Sequence, residues 1–119
     1  MALKVSGPFH TKFMKPAGDK LQGYFENIEF GKMNFPVIFN TTANELQADE
    51  NIKDLLVKQV QSSIYMEKTI ELLEKNGVDT SIEIGPGKVL SGFVKKTAPS
   101  INTYAIEDMQ GLEQVLEMF

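Results

Sequence analysis

One histidine stands in 119 residues, His10, inside the stretch Val5-Ser-Gly-Pro-Phe-His-Thr-Lys-Phe-Met14. An imidazole titrates near neutrality, so a histidine in a loop is a candidate general base. The other reading is a structural or surface histidine, and composition alone leaves both open. A base needs something to deprotonate. The serines are Ser6, Ser62, Ser63, Ser81, Ser91 and Ser100, and none lies in a Gly-x-Ser-x-Gly elbow. Ser91 has Gly92 beside it but no glycine two residues before it. A second suggestive stretch is Glu83-Ile-Gly-Pro-Gly-Lys-Val-Leu90. Gly85, Gly87 and Lys88 invite a phosphate-loop reading, but only one residue separates the glycines, and Val89 follows the lysine. A tight turn feeding a helix fits better. The N–H groups of such a helix start can attract an anion, which keeps a bound phosphate as the minor reading.

Several elements must position these residues. Residues 1–13 read as a strand end or loop broken at Gly7 and Pro8. Pro16 suits the first turn of a helix, with Leu21, Tyr24, Phe25 and Ile28 on one apolar face. Residues 35–39, Phe-Pro-Val-Ile-Phe, read as a buried strand, and residues 40–51 as a polar loop. Asp49 is the expected cap of a helix carrying Ile52, Leu55, Leu56 and Val60. Met66, Ile70 and Leu73 mark the next helix, stopped by Asn76-Gly77. Residues 81–85 read as a strand, and 89–96 as a helix with Val89, Leu90, Phe93 and Val94 inward. Residues 102–107 make a third strand, and Met109, Leu112, Val115, Leu116 and Phe119 a last amphipathic helix. Strands alternating with helices predict an α/β fold with parallel strands and helical crossovers. There is no repeat, low-complexity segment or clear linker, so residues 1–119 read as one unit.

Composition narrows the classes. The hydrophobic fraction is 42% and the charged fraction 24%, as in a globular domain. There is no cysteine, hence no disulfide, thiolate nucleophile or cysteine metal site. One histidine without cysteine is a poor basis for zinc or iron; carboxylate-bound magnesium stays open. The net charge of −4 argues against nucleic acid as a partner. No run has the length of a membrane span and no signal peptide opens the chain, so a cytoplasmic location is expected.

VSGPFHTKFMKPAGDKL and IEIGPGKVLSGFVKK together resemble the malonyl-CoA:acyl carrier protein transacylase family of fatty acid biosynthesis. DLLVKQV, residues 54–60, and FPVIFN fit the segments between them, in order. The resemblance runs over essentially the whole chain but covers roughly the last two-fifths of a typical member. It implies the C-terminal part of the large α/β-hydrolase-like acyltransferase subdomain, holding a partial parallel sheet. Such enzymes move malonyl from malonyl-CoA to the phosphopantetheine thiol of acyl carrier protein through an acyl-serine, without a cofactor. His10 matches the family's catalytic histidine, and Gln59 the residue whose backbone carbonyl orients it.

The resemblance also implies what these residues lack. The Gly-His-Ser-x-Gly nucleophile elbow, the arginine that pairs with the malonyl carboxylate and the ferredoxin-like subdomain have no counterpart in the sequence. The expectation is a chain that supplies the base and is inactive alone. The alternative is a non-catalytic module, or remnant, that binds acyl carrier protein or coenzyme A. With neighbouring strands missing, Val5, Val37, Ile38, Ile82 and Ile84 should be partly uncovered, favouring association with itself or with the missing N-terminal half. Lys4, Lys12 and Lys15 near His10, and Lys88, Lys95 and Lys96 near the glycine turn, read as solvated lysines. Their other reading is a docking patch for acidic acyl carrier protein or coenzyme A phosphates.

Overall fold

The structure, a computed structural model, describes residues 7–119; Lys4, Val5 and Ser6 lie outside them. The chain forms two compact units, the first ending at Tyr65 and the second running from Met66 to Phe119.

In the first unit a 3-10 turn, Lys12–Met14, leads into helix α1, Lys15–Phe25, with Pro16 in its first turn as expected. The helix stops at Phe25, so Ile28 lies beyond it, and Tyr24 is 74% exposed. Only Leu21 and Phe25 of the expected face are partly buried. Helix α2 spans Ile52–Gln61. Its cap is Asn51, not Asp49: the Asn51 Oδ1 accepts the Lys53 N–H at 2.8 Å, and Asn51 is the residue with extended backbone immediately before the first turn. Helices α1 and α2 pack closely where Gly18 is buried. A Cβ there would meet the Gln61 side chain at 3.0 Å.

The run 35–39 gives only a two-residue strand, β1 (Ile38–Phe39). It pairs antiparallel with β2 (Asn44–Glu45), inside the stretch expected to be loop. Pro36 has no N–H to give a ladder, and Phe35 is exposed. Among the described residues of this unit, Phe39, Ala43, Leu55 and Val57 are the buried apolar side chains.

The second unit follows the sequence pattern more closely. Helix α3 spans Met66–Lys75 and ends at Gly77, whose φ of +80° is the left-handed stop that glycine allows. Strands β3 (Thr80–Ile84) and β4 (Asn102–Ile106) pair in parallel, in register from Thr80↔Asn102 to Ile84↔Ile106. Helix α4, Val89–Thr97, is the crossover between them. Helix α5, Met109–Leu116, starts at Asp108, whose Oδ1 accepts the Gly111 N–H at 2.8 Å. Ile70, Val94, Ala98 and Ile101 form the core, with Met66 packed on it.

The inward faces are narrower than periodicity suggests. Val94 is buried, but Val89, Leu90 and Phe93 are exposed; Val115 is buried, but Met109, Leu116 and Phe119 are not. A two-stranded sheet has too little area to cover a full helix face. No helix among the described residues is long and apolar enough to cross a membrane.

Candidate active site

His10 follows the Gly7-Pro8 break and has a φ of +60°. Left-handed backbone is uncommon outside glycine, although histidine tolerates it better than most. Such positions are held by their surroundings, and they concentrate at functional sites. Here the surroundings are the last turn of α2. The final carbonyls of a helix have no partner within it. Val60 O accepts the His10 backbone N–H at 3.2 Å, and Gln59 O lies 2.7 Å from His10 Nδ1. A carbonyl only accepts, so Nδ1 carries the proton. The neutral ring then presents Nε2 as a lone-pair acceptor, the state a general base needs.

Beside the ring is a cavity of about 390 Å³, lined by Phe9, Met14, Leu21, Phe25, Leu56 and Val60 together with His10 and Gln59. The lining is almost wholly apolar: none of these residues carries a hydroxyl or a cation. The described part of the first unit therefore offers a base oriented against a helix end, with no nucleophile in the cavity next to it.

The glycine turn belongs to the second unit. Gly85 and Gly87 have φ of +140° and +90°, and the turn leads from β3 into α4 as the sequence predicts. The anion reading does not survive. The N–H groups of Leu90 and Ser91 already donate to the Glu83 carboxylate, at 3.1 and 2.7 Å. The Gly87 N–H donates to Glu107 Oε1 at 2.6 Å, and Lys88 Nζ lies 3.7 Å from Glu107 Oε2. The donors a phosphate would use are occupied by this chain's own carboxylates. The Ser91 side chain and the Ser91 and Leu90 N–H groups together hold the Glu83 carboxyl below its usual range, against a smaller opposing effect of burial. The buried Ser91 hydroxyl itself completes no hydrogen bond of good geometry, so the two N–H contacts are the firm part of that cause.

Of the lysines, Lys15 is tied to Asp19 at 2.7 Å on the exposed side of α1, and Lys88 leans on Glu107. Lys12, Lys95 and Lys96 are exposed. Sequence reasoning missed the two carboxylate caps and the Val60 carbonyl. Glu83 sits on a strand seven residues before Leu90, a spacing no helix-capping pattern contains. The Val60 contact is made by main chain, which leaves no side-chain signature.

No family model matches the chain. It is 41% identical over 115 residues to the malonyl CoA-acyl carrier protein transacylase of Bacillus subtilis, covering 97% of this chain and 36% of that protein. It is 38% identical to that of Staphylococcus aureus, covering 95% of this chain and 37% of that protein. The crystal structure of the transacylase from Clostridium perfringens superposes with a TM-score of 0.86 at 40% identity, over 99% of this chain and 37% of that one. A malonyl-transacylase in complex with a type II PKS acyl-carrier protein superposes at 0.84 with 38% identity, over 98% of this chain and 38% of that one. The chain thus spans little more than a third of the length of the relatives it matches. By sequence and by fold, this chain matches the C-terminal portion of the malonyl CoA-acyl carrier protein transacylases.

Proposed function

We propose that this chain supplies the histidine base of an acyltransferase site that moves malonyl from coenzyme A to acyl carrier protein. The observation that carries the reading is the 2.7 Å contact of His10 Nδ1 with Gln59 O, which leaves Nε2 free to accept a proton. In this mechanism Nε2 takes the proton of a serine hydroxyl as its oxygen attacks the thioester carbonyl. The imidazolium then returns that proton to the departing coenzyme A thiolate. In the second half, Nε2 takes the proton of the phosphopantetheine thiol of acyl carrier protein, the thiolate attacks the acyl-serine carbonyl, the ester C–O bond breaks, and the imidazolium returns the proton to the serine oxygen. Gln59 O stabilises the imidazolium in both halves, the task a carboxylate performs in a Ser-His-Asp triad. The carbonyl end of α2 adds a partial negative charge at the same place. The serine is not among these 119 residues in a recognisable elbow, so the proposed site also needs a serine from outside them. No cofactor takes part, and the site works in the cytoplasm.

Acyl carrier protein is the proposed partner, since one structural relative is a malonyl-transacylase in complex with one. Lys12 in the first unit, and separately Lys95 and Lys96 in the second, are exposed cations that an acidic surface can meet despite the overall charge of −4. Reversing Lys12 and Lys15 should weaken binding of acyl carrier protein at low salt; no change removes the patch from the proposal.

A second reading, a binding module without catalysis, is favoured by the cavity beside His10, whose lining includes no nucleophile among the described residues. The test that separates the two is transfer. The chain is mixed with the remaining portion of the Bacillus subtilis relative, which contributes the elbow, and malonyl transfer to acyl carrier protein is followed by intact mass. Transfer that is lost on His10→Ala supports the base. Co-elution of the two polypeptides without transfer leaves the binding module. For the chain alone, no malonyl adduct is expected. An adduct lost on His10→Ala would put the nucleophile within these residues.

A further inference from the structure

His10 is gripped from one side by α2; the other side of the grip is Thr11. Its hydroxyl donates to Pro8 O at 2.7 Å and accepts the Phe13 N–H at 3.4 Å. Its carbonyl accepts the Met14 N–H at 2.9 Å. The two hydroxyl bonds straddle Phe9 and His10, tying the residue before that pair to the 3-10 turn after it. Pro8 has its own φ fixed by the ring, so the anchor is stiff. Thr11 itself is extended, with φ −131° and ψ 164°, the posture in which a threonine caps the turn that follows. Between these two fixed points stands His10, in a left-handed conformation that its own preferences do not favour.

We propose that Thr11 is a positioning residue for His10: its hydroxyl closes the loop Pro8–Phe13 so that the imidazole points Nδ1 at Gln59 O. Only a hydroxyl does both jobs, since the loop needs a donor for Pro8 O and an acceptor for the Phe13 N–H from one short side chain. Serine satisfies the chemistry; valine keeps the shape and loses it. The value of this positioning for catalysis rests on the reading of His10 as a base, but the geometry is testable without catalysis.

The experiment is a long-range proton–nitrogen NMR spectrum of the His10 ring in the purified chain, at a pH above the ordinary titration of an imidazole. In the parent chain the Nδ1-protonated tautomer should dominate. In Thr11→Val the ratio of Nδ1- to Nε2-protonated ring should fall roughly fivefold, the scale of one net hydrogen bond. In Thr11→Ser it should stay at the parent value. An unchanged ratio in Thr11→Val overturns the proposal, and so does a fall in Thr11→Ser equal to that in Thr11→Val. Should Thr11→Val fail to fold, Thr11→Ser decides alone: a parent-like ratio supports the hydroxyl, and a lost Nδ1 tautomer overturns it. If instead His10→Ala retains transfer in the two-polypeptide assay while Thr11→Val still shifts the tautomer, the base reading fails and the positioning stands.

Discussion

His10 and Gln59, 49 residues apart in sequence, meet through one hydrogen bond of 2.7 Å from ring Nδ1 to main-chain carbonyl. The side chain of Gln59 takes no part in it. Gln59→Ala should therefore change malonyl transfer by about twofold or less, the size of an ordinary substitution away from special features. His10→Ala in the same assay should cost roughly 10²–10⁴-fold, the range of general acid–base catalysis. Comparable losses for both would mean that the Gln59 side chain, not its carbonyl, does the orienting.

Glu83 caps α4 from the neighbouring strand, and its carboxyl lies below the usual range. A carboxyl depressed on folding stabilises the fold above its unfolded value, and that stability disappears as pH falls through the lower folded value. The parent chain should melt above Glu83→Gln at pH 7. The gap should close only below the ordinary value of 4.5, as the carboxylate takes its proton. Melting curves across that range decide it; a gap that stays constant to low pH would remove the charge from the explanation.

Gly87 has a φ of +90°, and a Cβ built there meets nothing within 4 Å. Gly87→Ala is thus a clean test of backbone conformation, without steric interference. Urea unfolding should show a loss of about 1–2 kcal/mol, the cost of left-handed backbone for an L-residue. No change in midpoint would mean that the turn can relax at no cost.

Ile84 is 80% exposed and Ile82 42%, both on a parallel sheet of two strands. Parallel sheets are normally covered on both faces. The isolated chain should elute from size exclusion as a concentration-dependent associate. A compact monomer with one cooperative melt would show that these residues need no cover.

The second unit was legible because its elements are local. The Asn76-Gly77 stop, the alternation over residues 81–85 and the helix over 89–96 each rest on neighbours in sequence, and β3, α4 and β4 form within two residues of the expected bounds. The first unit was less so. Residues 35–39 are apolar enough for a strand, but Pro36 and an exposed Phe35 leave only Ile38 and Phe39 in one. Asp49 and Asn51 are both good caps, and only the chain's extended path at Asn51 selects between them. At the site, His10 stood out as the sole histidine and Gln59 came from the resemblance to a family, and the contact between them is now a distance. Thr11, Glu83 and the Val60 carbonyl were invisible, because hydroxyls, strand carboxylates and main-chain atoms act there through three-dimensional proximity.

The paired contacts of His10 with Gln59 and Val60 give the last turn of α2 an unusual property. A helix end normally frays on its own, since its final carbonyls bind water as readily as protein. Here the two carbonyls at that end hold the ring and backbone of a residue about fifty positions away. Fraying of one turn and loss of the ordered imidazole are consequently a single event. The ring of His10 is a built-in reporter: wherever its Nδ1 proton is seen in place, the end of α2 is wound, and the loop of chain between them is closed.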